Sequence, residues 1–185
     1  MKSIKNILVL VSIVILAASC SKDDPIPVNE EELITTVIVT LTPQTGPVVT
    51  LKSVDLDGDG PNPPVITVSA DLVANTAYTG STKVLNETES PAEDITVEVK
   101  EEGIEHQFFY TFSNSLASTT YTDTDGNGNP IGVDFTLTTA AAGTGNLTVT
   151  LKHEPIKTAS GVKGGSITNA GGETDVEAKF ALNVN

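Results

Sequence analysis

The chain has 185 residues, with 24 Asp and Glu against ten Lys, no Arg, one Cys, no Trp and a formal charge of −14. Such a surface repels phosphate, which excludes a nucleic-acid binder, and without Arg there is no bidentate phosphate clamp. One Cys supports neither a disulfide framework nor a Cys-rich zinc site, and the length suits one domain or one domain plus a tether.

In chain order, the first signal lies at the N-terminus. Lys2 and Lys5 precede an almost unbroken apolar run from Ile7 to Ala18. The run is shorter than the ~20 residues that a membrane-spanning helix needs, so residues 1–19 read as a secretory signal. Leu16-Ala17-Ala18-Ser19-Cys20 resembles a bacterial lipoprotein processing site, which implies cleavage before Cys20 and lipidation of that Cys. The alternative is an ordinary signal cut near Ser19, leaving a free thiol. Ser21-Lys22-Asp23-Asp24 resembles the acidic sorting tag of surface-displayed lipoproteins in Bacteroidetes-type bacteria; the alternative is a solvated tether. Pro25, Pro27 and Glu30-Glu31-Glu32 continue a stretch that cannot bury itself, so residues 20–32 read as the lipidated Cys and its acidic, Pro-containing tether. Together these resemblances imply a lipid-anchored protein of the outer membrane, at the cell surface.

From Leu33 to Asn185 the text is that of a single β-domain. Thr and Val dominate, turn residues recur at short intervals, and apolar residues alternate with polar ones. Val176, Ala178, Phe180, Leu182 and Val184 face one way; Asp175, Glu177, Lys179 and Asn183 face the other. A period of two means half-buried strands. The spacing predicts strands at 33–42, 47–54, 65–71, 77–85, 105–113, 116–122, 131–139, 146–153 and 174–184. The expected fold is mainly β, an antiparallel immunoglobulin-like β-sandwich. One short helix is expected at 91–102: Ser90 as N-cap, Pro91 at the first helical position, Glu93 three residues after the cap, and Gly103 as the stop. Ile95 to Val99 also alternates, so a strand is the competing reading there.

Two loops are rich in carboxylates. Asp123-Thr124-Asp125-Gly126-Asn127-Gly128, followed by Asp134, resembles the twelve-residue calcium loop. Ca²⁺ takes about six to eight hard oxygens, which alternate acidic residues around a Gly can supply. The resemblance implies side-chain oxygens from Asp123, Asp125 and Asn127, a carbonyl from Asn129 and a carboxylate from Asp134. Asp55, Asp57 and Asp59 repeat the first half of the pattern, with Ile66 at the closing position. Polar turns are the alternative for both, since Asp, Asn and Gly tolerate turn geometry. Ca²⁺ is the one cofactor suggested.

His106 and His153 are the remaining candidates for ligand binding, each also readable as a residue at the rim of the core. No nucleophile elbow, zinc-protease motif or phosphate-binding loop is present. The stretches Glu105-His106-Gln107-Phe108-Phe109-Tyr110, Asp123 to Gly132 and Gly171-Gly172-Glu173-Thr174-Asp175 resemble a small family of Bacteroidetes-type lipoproteins. Members of this kind carry the label "type 1 periplasmic binding fold superfamily protein". That label names two helix-rich α/β lobes, whereas the residues here predict a small sandwich.

The functional expectation is a non-enzymatic, ligand- or partner-binding lipoprotein, calcium-stabilised, held at the membrane by its N-terminal lipid and accessory to an outer-membrane transporter. An adhesin or surface-coat component is the alternative, and a carboxylate-based hydrolase a minor one. If the strands run alternately up and down, the loops after the second, fourth, sixth and eighth share one end. That parity gathers both Asp-rich loops, His106 and His153 at one pole.

Overall fold

The computed structural model describes residues 33–58 and 60–185. The signal, Cys20, the tether and Asp59 lie outside the described residues. Among the described residues nine strands form: β1 (Thr36–Pro43), β2 (Val49–Val54), β3 (Val65–Val68), β4 (Ala77–Leu85), β5 (His106–Phe112), β6 (Ala117–Tyr121), β7 (Asp134–Thr139), β8 (Gly143–His153) and β9 (Glu173–Val184). Each overlaps one of the nine expected segments. They pair antiparallel into a six-stranded sheet, β3-β2-β1-β4-β7-β6, and a three-stranded sheet, β5-β8-β9. The architecture is mainly β, a sandwich closed by the residues of period two. Tyr78 and Val84 of β4 share one buried core cluster with Phe108 and Tyr110 of β5 and Phe180 and Leu182 of β9. Buried Tyr110 has its hydroxyl satisfied by the Gly132 carbonyl (2.6 Å) and by Thr82 (2.7 Å). Among the described residues, no helix is long and apolar enough to cross a membrane.

Three local outcomes differ from the periodicity. The helix, α1, spans only Ile95–Glu101, and Asp94 caps it by accepting from Thr96 N. Asn86 and Glu93 exchange both backbone hydrogen bonds at 3.1 Å, which closes residues 86–93 into a loop and keeps the helix from starting at Pro91. β7 begins at Asp134 rather than at 131. The Asp123 carboxylate takes the N–H groups of Gly132, Val133 and Asp134, and the Ile131 carbonyl accepts from Phe108 N, so this segment leaves the ladder to cross between the sheets. β5 is buried on both faces. Its outer face, carrying Phe109, is covered by Val162 and Ala170 of the long connection after β8.

Gly80 shows how tightly neighbouring strands of the larger sheet pack. It lies opposite Phe135 in the β4–β7 ladder, and a Cβ there would collide with the Phe135 ring. The missing side chain makes room for an aromatic at the centre of the core.

Strand direction sets which loops share an end. Every pairing between the named strands is antiparallel, the isolated Leu72–Val184 bridge alone being parallel among the described residues, so the loops after β2, β4, β6 and β8 emerge at one pole. Contacts across them agree: Lys157, after β8, reaches Gly103, after α1, and Asp125, after β6. Asp55 and Gly58, after β2, line a cavity together with His153 at the end of β8.

Candidate functional site

The site is built on the short sheet. In the β5–β8 and β8–β9 ladders His106 lies opposite His153, and His153 opposite Glu173. Directly opposite residues project to the same face, so these three form one row at the pole. The two imidazoles stack, with centroids 4.7 Å apart and planes 17° from parallel. His106 is buried and donates its Nδ1–H to the Glu102 carbonyl (3.3 Å), which assigns that tautomer. Burial lowers its pKa, with His153 and Lys157 acting in the same direction, against the opposing pull of the Glu102 carbonyl and Glu105.

A β-bulge supplies a fourth group. Leu151 pairs with Val176 and Lys152 with Thr174, so Asp175 is the extra residue on β9. Bulges re-aim side chains; here the Asp175 carboxylate comes to 3.9 Å from His106 Nε2. Two more carboxylates flank His153. Glu105 immediately precedes β5 and places Oε2 3.8 Å from His153 Nε2. Glu154 turns left-handed (φ 48°) and donates its N–H to the Glu105 carbonyl (2.6 Å). Gly172 packs so closely on this turn that a Cβ there would overlap the His153 carbonyl.

Between the sheets at this pole lies a cavity of about 510 Å³. Leu33, Ile34, Thr35 and Val37, with Ser53, Asp55 and Pro64, form one wall; His153 and Glu173 to Glu177 form the other. The lining therefore pairs an apolar strip (Leu33, Ile34, Val37, Val176) with four carboxylates. One of these is incompletely satisfied: Asp55 Oδ1 is buried, and no hydrogen-bond donor among the described residues reaches it.

The other expected residues serve the fold. Asp123 accepts from three backbone N–H groups at 2.8–3.0 Å. Asp125 Oδ1 accepts from the backbone N–H groups of Asn127 and Asn129, and its Oδ2 from Lys157 Nζ at 3.0 Å. Asn127 and Asn129 thus serve the loop as donors. Lys157 is buried; its ammonium also donates to the carbonyls of Pro130 (2.9 Å) and Gly103. Burial pushes Asp125 up, but the Asn129 and Asn127 N–H groups and the Lys157 ammonium outweigh it and hold the carboxyl below its usual range. Asp134 pairs with Lys100 at the surface (3.0 Å). A calcium ion at this loop has to displace an ammonium already seated among its oxygens. In the Asp55 loop, Asp57 is fully exposed and accepts from Asn62 N and Nδ2 (3.3 and 2.7 Å); the Asn62 side chain holds its pKa down.

Asp175, Glu105, Glu154 and Lys157 are the site residues that sequence reasoning missed. The parity of the strands could have placed Glu105 and Glu154, which neighbour His106 and His153 in the chain. Nothing in the sequence marks the bulge at Asp175 or singles out Lys157. Comparison of the chain with protein-family models, with curated proteins and with solved structures finds no match in any of the three.

Proposed function

We propose that this chain is a lipid-anchored outer-membrane lipoprotein whose sandwich binds a small cationic ligand with an apolar portion. The observation that carries this reading is the polar cavity with Asp55 at its wall. Its volume falls in the roughly 300–1,000 Å³ range of small-molecule sites. Asp55 lines the cavity wall, and a ligand ammonium beside it complements the carboxylate charge. Glu173, Asp175 and Glu177 reinforce the negative potential, and Leu33, Ile34, Val37 and Val176 accept an apolar stem. The reading is binding rather than turnover. An accessory role beside an outer-membrane transporter fits the proposed anchor.

The test is a thermal-shift series on the full chain in detergent, using amines and carboxylic acids of matched size. Amines raise the melting temperature, acids do not, and Asp55→Asn abolishes the amine effect. Equal responses to acids and amines, or full retention in Asp55→Asn, overturn the reading. Anchoring is checked separately: Cys20→Ala loses the incorporation of radiolabelled palmitate.

A further inference from the structure

Glu105, His153 and Glu154 present three ligand atoms that all lie within 4.8 Å of one another. Two of the three side chains are exposed and His153 is half-buried, so the group is open to solvent at the cavity mouth. The arrangement is more than a concentration of acid, because an imidazole stands among the carboxylates and its ring is held. His153 stacks on His106, which is fixed in turn by the Glu102 carbonyl. The backbone bond from Glu154 N to the Glu105 carbonyl ties the two glutamates together across the strand ends.

The distances suit a small dication. Zinc–ligand bonds of about 2.0–2.2 Å put neighbouring donors of a tetrahedron roughly 3.3–3.5 Å apart. Glu105 Oε2 and His153 Nε2 are already at 3.8 Å. Closing the set therefore needs a rotation of two exposed glutamate side chains and leaves the backbone in place. The donor chemistry narrows the ion further. Two carboxylates neutralise a dication. A nitrogen donor and so few oxygens disfavour Ca²⁺ and Mg²⁺, which take about six or more oxygens, and suit Zn²⁺ and its neighbours. Three protein ligands leave a fourth position open.

We infer that Glu105, His153 and Glu154 bind a divalent transition-metal ion of the zinc type at the mouth of the cavity. This goes beyond the ligand reading: Glu105 and Glu154 do not line the cavity, and either site can operate without the other.

The experiment is a calorimetric titration of Zn²⁺, with Mg²⁺ and Ca²⁺ alongside, into the chelator-treated full chain in detergent, carrying no polyhistidine tag. One Zn²⁺ binds per chain, and Mg²⁺ and Ca²⁺ do not compete at equal concentration. Even indirect partners of a metal ligand alter affinity by about 10–100-fold, so loss of a direct ligand does at least as much. His153→Ala accordingly weakens Zn²⁺ binding about a hundredfold or more. Glu105→Gln combined with Glu154→Gln, both at exposed positions that leave folding intact, weakens it at least about tenfold. Glu98→Gln with Glu101→Gln, on the exposed face of α1, removes the same charge elsewhere and leaves the affinity unchanged. Zinc affinity retained in the Glu105/Glu154 variant, equal loss in the Glu98/Glu101 variant, or the absence of stoichiometric binding overturns the inference.

Discussion

Asp125 and Asp55 stand at the same end of the sandwich, each in a loop that leaves an even-numbered strand. The Asp125 carboxylate accepts from Asn127, Asn129 and Lys157, whereas Asp55 Oδ1 accepts from no donor among the described residues. The two regions are alike in composition and opposite in electrostatics. Around Asp125 the protein supplies its own cation and its own N–H groups, and the loop is closed. Around Asp55, His153 and Asp175 negative charge gathers against a cavity wall with room beside it. The loop around Asp125 turns its carboxylate oxygens inward to its own N–H groups and Lys157, while Asp55, His153 and Asp175, far apart in the chain, are brought together around the cavity by strand direction.

The largest effect separating the two regions follows from Asp125→Ala. It leaves a buried ammonium without its carboxylate, a loss of about 3–5 kcal/mol, read as a lowered denaturant midpoint. Lys157→Met costs less, about 1–3 kcal/mol, since Asp125 keeps two backbone donors. If Asp125→Ala costs no more than an ordinary surface substitution, the closed loop is not a structural element.

At Asp55 the sign reverses. Asp55→Asn removes the charge of a half-buried, incompletely satisfied carboxylate, so stability stays level or rises by up to about 1 kcal/mol while amine binding is lost. A destabilisation comparable to that of Asp125→Ala would erase the distinction between the regions.

The pH windows also differ. Burial depresses the pKa of His106, so below 6.5 the unfolded chain takes up a proton that the folded chain refuses. Stability therefore falls as pH drops from 6.5 toward the folded value. His106→Gln flattens that limb. The contribution of Asp125 is fully present above 3.8, the ordinary carboxylate value, and fades only as pH falls through its lower folded value. Denaturation curves across pH 3–7 separate the two limbs, and a single limb unaffected by His106→Gln contradicts the assignment.

The smallest expected effect concerns calcium. With Lys157 seated, replacing chelator by about 10 mM Ca²⁺, above the usual range of extracellular sites, leaves the melting temperature unchanged. A rise of several degrees that Asp125→Ala removes reinstates a calcium loop.

The strands were legible because each buries one face, and Val176 to Val184 or Leu147 to Leu151 announce that face residue by residue. The polar gathering was legible because connections alternate once every pairing is antiparallel. The helix was legible as an element but not at its start: Ser90-Pro91 carries the cap signature, yet the Asn86–Glu93 backbone pairing, a contact formed only on folding, moves the start to Asp94. Asp175 was hidden for a related reason, since a bulge exists only relative to the register of the partner strand. Lys157 reads like any of ten lysines; its burial depends on the path of residues 154–172 across the outer face of β5. The covering of Phe109 by Val162 and Ala170 escaped the period-two pattern because that pattern assumes one wet face.

The position of β1 has a mechanical consequence. The chain enters the sandwich at β1, a central strand paired with β2 on one side and β4 on the other. Antiparallel ladder bonds lie perpendicular to the strands. A pull along β1 from its N-terminal end therefore strains both ladders in shear, loading their bonds together instead of unzipping them one after another. A domain hung by an edge strand such as β3, four residues long and paired on one side only, would peel under the same load. Under the anchoring proposed above, the load on this domain would arrive through β1, a strand that does not peel.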